Sequence, residues 1–190
     1  MKPSEETERD WIRTRSQLGQ AEKKQRSFNP YEVIRFLKSR GYDNAGFRLD
    51  LDRSLLIDKS SCKPLKLNEK LIDEIASKTG LVSGKWLIFV QREYVDEVWE
   101  KIEKMAEQEE IWSAKVSTSS HPSSKAGEHV ICVYTKNYLD KQDVMEARET
   151  LRKIGIENEL TYKPDIYTVL GIYWDNKEDF GIERVTRYSG

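Results

Sequence analysis

Three tyrosines near the end of the chain, with two cations close by, are residue types that could bind a nucleic acid. Tyr162, Tyr167 and Tyr173 offer flat rings, and Lys163 and Arg152 offer positive charge. Proteins that bind single strands stack bases on such rings and hold phosphates with such charges. The alternative is ordinary packing, because Tyr167 and Tyr173 share the parity of the apolar residues in a predicted strand. Packing is the favoured interpretation, and base stacking stays open.

The sequence offers no arrangement typical of an enzyme. Asp165 and Glu159 make no convincing acid/base pair, and no nucleophile has a base beside it. No phosphate-binding loop, zinc motif or dinucleotide motif is present. We therefore predict a non-enzymatic protein with no cofactor and no metal.

Charge and composition limit the class of partner. Charged residues make up 34% of the 190 residues but nearly cancel, leaving a formal net charge of -1. General attraction to DNA is therefore not expected, although a local basic patch could bind RNA or a nucleotide. No apolar run reaches the ~18–20 residues of a membrane span, so we expect no membrane partner. Two cysteines, Cys62 and Cys132, without metal or disulfide spacing, suit a reducing compartment. The prediction is a cytoplasmic protein, with the nucleus as an additional location.

The first 28 residues predict a flexible charged tail in front of a single domain at 29–190. The tail carries charges of both signs and few large apolar side chains, so it cannot bury enough surface to offset its ordering entropy. Trp11 is interpreted as a loosely packed aromatic of this tail, with a partner-docking element as the alternative.

The region from 29 to 67 predicts one helix and a strand pair. Asn29 can cap a helix that ends near Gly41. FRLDLD then alternates, with Phe47, Leu49 and Leu51 on one side, as in a half-exposed strand. LLID continues the strand pattern less cleanly.

From Asn68 onwards, helices and strands alternate. Asn68 caps a helix ending near Gly80, and Asp140 caps another stopped by Gly155. Between them, the helix YVDEVWEKIEKMAEQEE has an apolar stripe that places Trp99 in the core. The predicted strands are GKWLIFV, IWSAKVST, HVICVYT, ELTYK and DIYTVLGIY. The fold class is therefore α+β, with a mostly antiparallel sheet backed by helices on one face.

The strand IWSAKVST separates its two faces clearly. Its apolar side chains point one way, and Ser113, Lys115 and Ser117 point the other. We expect the open face of the sheet on this polar side, with Lys115 as a candidate ligand-binding residue. The alternative is that Lys115 is simply a solvated lysine.

The ordered motifs SGKWL, AKVS, VICVYT, TYKPDIYT and LGIY resemble the uncharacterised family of the basophilic leukaemia expressed protein. The resemblance covers about Leu81 to Tyr173. That family is similar in fold to translation initiation factor 4E, which has a curved antiparallel sheet backed by helices. The resemblance therefore implies the same architecture here.

The cap-binding site of the initiation factor is not carried over. There, two tryptophans sandwich a methylated guanine beside a base-reading Glu, and one of these tryptophans should lie shortly before Trp86. This chain has Glu74, Ile75 and Ala76 on a predicted helix there, and no Trp between Trp11 and Trp86. The resemblance makes Trp86 a core residue and predicts no cap-stacking Trp pair.

The phosphate-binding side of that site is partly retained. Lys85 matches a basic position that helps hold the phosphate chain in the factor, and the loop with Lys125 and His129 stands where other basic residues occur. The alternatives are solvated lysines and a His129 that only begins a strand. With Lys115 and Lys163, these complete the candidate ligand-binding set.

The function hypothesis is a binding module whose open sheet face holds a nucleotide, an RNA 5′ end or another phosphorylated ligand. The alternative is a protein-interaction domain that has lost the ligand site and docks a partner on its helical face. Partial exposure of Trp99 or Trp112 would favour the alternative.

Overall fold

The computed structural model describes residues 2–6, 11–14, 28–50, 53–121 and 127–190. In chain order the strands are β1 (Trp11–Arg13), β2 (Ala45–Asp50), β3 (Arg53–Asp58), β4 (Lys63–Pro64), β5 (Gly84–Gln91), β6 (Ser113–Ser117), β7 (Glu128–Thr135), β8 (Thr161–Pro164) and β9 (Tyr188–Ser189). The helices are α1 (Pro30–Ser39), α2 (Glu69–Thr79), α3 (Val95–Glu107), α4 (Lys141–Lys153) and α5 (Asp165–Val169), and a 3₁₀ turn spans Lys177–Phe180.

Contacts divide the chain into two compact units. The first takes the described residues of 1–23 together with 84–162 and 188–190, and the second takes those of 24–83 and 163–187. The prediction of a tail at 1–28 and a single domain at 29–190 stays a prediction. Residues 15–27 lie outside the described residues.

The first unit is built on a six-stranded sheet. Its strand order is β1-β6-β7-β5-β8-β9, and Thr161 and Tyr162 of β8 belong to this unit. The pairs β1–β6, β6–β7, β7–β5 and β8–β9 are antiparallel. Helices α3 and α4 pack against β6 and β7. The α+β architecture, with an antiparallel sheet backed by helices, is confirmed.

Strand β1 was not foreseen within the charged N-terminal segment. Trp11, Ile12 and Arg13 pair with Ser117, Val116 and Lys115 of β6. Ile12 is buried on this edge strand, and the Thr14 N–H donates to the Ala114 carbonyl over 3.0 Å. Trp11 is therefore part of the sheet, not a loosely packed tail aromatic.

The second unit contains a three-stranded sheet, β2-β3-β4, with α1, α2 and α5. The predicted β2 is confirmed, but its faces are not, because Leu49 is 82% exposed. Leu51 lies outside the described residues. In β3, Leu55, Leu56 and Ile57 are all buried.

The predicted helix caps are confirmed. The side chains of Asn29, Asn68 and Asp140 accept N–H groups at the first turns of α1, α2 and α4. Gly80, with φ +72°, ends α2 in the left-handed region that glycine favours.

The predicted strand DIYTVLGIY is wrong, because DIYTV forms α5. Pro164 is extended with ψ 142°, and Asp165 opens the helix after it. The Ser83 hydroxyl donates to the Asp165 carboxylate over 2.6 Å, and the Asp165 N–H donates to the Ser83 carbonyl. Gly171, with φ +78°, then turns the chain where a Cβ would collide with the Ser54 carbonyl. This long-range environment fixes the helix, which strand-forming residue types alone did not predict.

Candidate ligand-binding face of the sheet

The register of the first unit's sheet places several cations and rings on one face. Lys85 lies opposite Tyr134, Phe89 opposite Val130, and Arg13 opposite Lys115. Directly paired residues share a face, and residues two apart along a strand share it as well. The open face is defined here by the residues that follow: Trp11, Arg13, Lys85, Leu87, Phe89, Lys115 and Tyr134.

The opposite face is covered by helices. Trp86 is fully buried, and its indole N–H donates to the Val144 carbonyl of α4 over 2.9 Å. Trp99 of α3 is 1% exposed. Both tryptophans are core residues, as predicted.

The open face is accessible to solvent at some positions, whereas Ser113, Ser117 and Cys132, which share the face, are buried. Phe89 is 61% exposed, Arg13 is exposed, and Lys85, Lys115 and Tyr134 are half-buried. A protruding phenyl ring on the same face as two lysines is suited to a ligand that has both a flat ring and negative charge.

Two cations on this face are already held beside rings. The Lys115 ammonium lies 3.8 Å from the centre of the Trp11 ring, and the Lys85 ammonium lies 5.7 Å from that of Tyr134. His121 contacts the Trp11 ring edge to face, with 4.5 Å between centroids. These contacts restrict the rotamers of the two lysines, so less entropy is lost when they bind an anion.

His129 is not brought together with Lys85 and Lys115. It is the second residue of β7, close to the strand start that was expected, but it is 1% exposed, and its Nδ1 lies 2.7 Å from the Ser117 carbonyl oxygen. Its alternation with Val130 places it on the covered face. The His129 side chain is therefore buried and does not reach the open face. Lys125 lies outside the described residues.

Lys163 belongs to the second unit and is buried there. Its ammonium donates to the Ile172 carbonyl over 3.2 Å and lies 4.3 Å from the Tyr173 ring centre. Arg53 lies 4.2 Å from the same ring. Lys163 thus takes part in a packed cation–ring cluster.

Two of the three tyrosines, Tyr162 and Tyr167, are packed inside the protein, as the favoured interpretation predicted. Tyr162 is fully buried, with its hydroxyl 2.7 Å from the Thr135 hydroxyl. Tyr167 is 2% exposed, and burial, with a smaller effect of the Glu69 carboxylate, raises its pKa to about 12. Neither ring is available to stack on a base.

Residues 50–171, more than half of the chain, match the family model described as Basophilic leukemia-expressed protein Bles03. The chain belongs to the Bles03 family. The family prediction is confirmed, and the match begins well before the Leu81 at which the resemblance was placed.

The chain is also similar to a solved structure, that of the C. elegans initiation factor eIF4E-3 in complex with the 4E-binding protein Mextli. The TM-score is 0.40 and the identity 13%, over 58% of this chain and 59% of that chain. The matched part is thus less than two thirds of that chain. A similarity of this size supports no inference about a shared ligand or partner.

Arg13 and Phe89 were missed as functional candidates in this Bles03 chain, whereas Trp11 was considered only as a partner-docking element of the N-terminal segment. Phe89 could have been found, because it is four residues from Lys85 in one strand and so shares its face. Arg13 carried no such signal, since only the pairing of β1 with β6 places it beside Lys115.

A cavity of about 760 Å³ in the second unit is a weaker candidate. Its lining includes Asp58 and Lys66, but both are engaged within the protein. Hydrogen bonds from the Ser60 hydroxyl and then the Ser61 N–H lower the pKa of Asp58, and Lys66 donates to the Glu178 carbonyl over 2.9 Å. Asp58 and Lys66 therefore stabilise the fold of the second unit.

Two features are absent from the described part of the chain. There, no group of three or more His, Cys, Asp and Glu side chains could hold a metal ion. Nor does that part contain a helix both long and apolar enough to cross a bilayer.

Proposed function

We propose that this Bles03-family protein is a non-enzymatic binding module whose open face holds a nucleotide, an RNA 5′ end or another phosphorylated ligand. The observation that carries the proposal is the placement of Lys85 and Lys115 with the exposed Phe89 on one face. We further propose the cytoplasm as its location, with the nucleus as an additional one.

The physical argument rests on local charge. The chain as a whole has a net charge of -1, so attraction of an anion depends on where the cations lie. On the open face, lysines from two different strands flank apolar and aromatic side chains. Phosphate groups would pair with the lysines, and a base would stack on Phe89 at a gain of ~1–3 kcal/mol.

The proposed mode differs from a two-tryptophan sandwich. Trp86 and Trp99 are buried in the core of the first unit, where they cannot stack on a ligand. Recognition would instead use one exposed phenyl ring and the two lysines. We therefore expect little preference for a methylated cap over an ordinary nucleotide.

The test is a fluorescence titration of purified protein with labelled AMP, a methylated cap analogue and a short RNA at ~100 mM salt. Binding should weaken at least tenfold in the double variant Lys85→Glu, Lys115→Glu. The matched control is Lys101→Glu with Lys104→Glu, which makes the same charge change on the exposed side of α3. Absence of binding by all three probes, or equal loss in both double variants, would overturn the proposal.

The alternative function is a protein-interaction domain, for which partial exposure of Trp99 or Trp112 was the suggested sign. Trp99 is 1% exposed and cannot contact a partner, whereas Trp112 is half-buried and lines a small cavity of about 140 Å³. If the nucleotide titrations fail, this rival gains support from a partner whose binding is lost in Trp112→Ala and kept in the lysine variants.

A further inference from the structure

Two pairs, each of a cation and a ring, repeat across the open face. Lys85 lies over Tyr134 on β5 and β7, and Lys115 lies over Trp11 on β6 and β1. Arg13 stands at the far edge, directly opposite Lys115. We propose that the ligand is a single-stranded oligonucleotide that crosses the strands from β5 to β1, with Arg13 as its outermost phosphate contact. This inference rests on the proposed function and narrows it.

The spread of the three cations is the first argument. With strands ~4.8 Å apart and ~3.4 Å per residue, the Cα of Lys85 is about 12 Å from that of Lys115 and about 16 Å from that of Arg13. The phosphates of a mononucleotide lie next to one another at one end of the molecule. Successive phosphates of a strand are instead separated by a whole nucleotide, so a strand can contact all three cations.

The direction of the side chains is the second argument. The Lys115 ammonium contacts the ring of Trp11, a residue of β1, the strand that flanks β6 on the side opposite β7. The Lys85 ammonium stays near Tyr134 on β7. The two ammonium groups are therefore each held by a different ring, one on β7 and one on β1, which favours contacts with separate phosphates.

The alternation of charge and ring is the third argument. A single strand presents one phosphate and one base per nucleotide, and each lysine here is accompanied by an aromatic ring. Base–aromatic stacking tolerates every base, because each base has a π-face. The ligand would therefore be recognised by length and charge, with little sequence preference.

The experiment compares 5′-labelled AMP with a trinucleotide and a hexanucleotide RNA, each titrated from 50 to about 300 mM KCl. Affinity should rise at least tenfold from AMP to the trinucleotide. Because each phosphate contact to a single strand contributes about 0.7 to the slope of log K against log salt, Arg13→Ala should lower the trinucleotide slope by about 0.7. Its effect on AMP binding should be smaller than its effect on trinucleotide binding, because a mononucleotide held at Lys85 does not reach Arg13.

Two variants control this experiment. Arg13→Lys keeps the charge and should restore the slope, which separates charge from any disturbance of β1. Arg35→Ala removes an exposed arginine from α1, in the second unit, and should change neither ligand.

The outcomes separate the two proposals. If AMP binds as tightly as the trinucleotide, or Arg13→Ala leaves the trinucleotide slope unchanged, the oligonucleotide path is wrong while the nucleotide-binding face stands. If none of the three ligands binds, both proposals fall.

Discussion

The two faces of the first unit's sheet show how one strand can serve two purposes. In β5, Trp86 and Ile88 are 0% and 3% exposed on the face covered by helices, whereas Phe89 is 61% exposed on the other. Both sets are apolar or aromatic, so residue type alone does not separate them. The two sets are separated by their odd or even positions along the strand, because successive side chains point to opposite faces. The covered face holds the unit together, and the open face is where binding chemistry can be placed without loss of stability.

The largest expected effect that would test this contrast is Trp86→Ala. The substitution removes a fully buried indole and its hydrogen bond to Val144, and should lower the free energy of unfolding by about 3–5 kcal/mol. Phe89→Ala, three residues along the same strand, should change it by no more than about 0.5 kcal/mol. Chemical denaturation of both variants measures the difference. Similar losses in the two would show that the open face is also packed.

The second expected effect concerns a cation on the covered side. Arg148 of α4 is fully buried and donates to the carbonyls of Gly190, Ile156 and Asn158 over 3.0, 2.7 and 2.7 Å. Burial, and next the charge of Arg152, lowers the pKa of Arg148.

Arg148→Ala should cost about 3 kcal/mol in the free energy of unfolding, because three carbonyls lose their donor inside the protein. Arg13→Ala, an exposed cation on the open face, should be near neutral in the same denaturation experiment. A small effect for Arg148→Ala would mean that water takes the place of the guanidinium. The covered side would then be more accessible to water than the burial of Arg148 indicates.

The parts of the fold that follow local rules could be predicted from the sequence. Caps at Asn29, Asn68 and Asp140 depend on hydrogen bonds within a single turn, so a short stretch of sequence contains all the information. The same holds for the alternation that placed Lys115 on the open side.

The parts that depend on distant partners could not be predicted. Strand β1 exists because three residues pair with β6 about a hundred positions later, and nothing within a polar N-terminal stretch signals that pairing. Helix α5 forms where strand-forming residues meet Ser83 and Ser54. For the candidate site, Lys85 was suggested by the resemblance and Lys115 by its parity along the strand, whereas Arg13 could be placed beside Lys115 only from the β1–β6 pairing.

A third, moderate effect is expected from adding one carbon to the covered face. A Cβ at Gly84 would lie only 2.7 Å from the Cζ of Tyr162, which is fully buried. Gly84→Ala should therefore cost about 1–3 kcal/mol through overpacking. In the double variant Gly84→Ala, Tyr162→Leu, the loss should be smaller than the sum of the single losses. Additive losses would show that the ring is not what limits space at Gly84.

The smallest expected effect tests whether the open face contributes to stability at all. The Lys115 ammonium lies 3.8 Å from the Trp11 ring centre, and a cation–π contact at an exposed site is worth about 0.5–1 kcal/mol. A double-mutant cycle with Lys115→Gln and Trp11→Leu should give a coupling energy in that range, measured by chemical denaturation. Because the contact joins β1 to β6, it would help to hold the edge strand β1 in place. Saturating trinucleotide should reduce the coupling, since the phosphate and the ring then share one ammonium group. A coupling energy of zero without ligand would mean that β1 is held by its backbone pairing and Ile12 alone. The side chains of the open face would then contribute even less to the free energy of unfolding than their burial indicates.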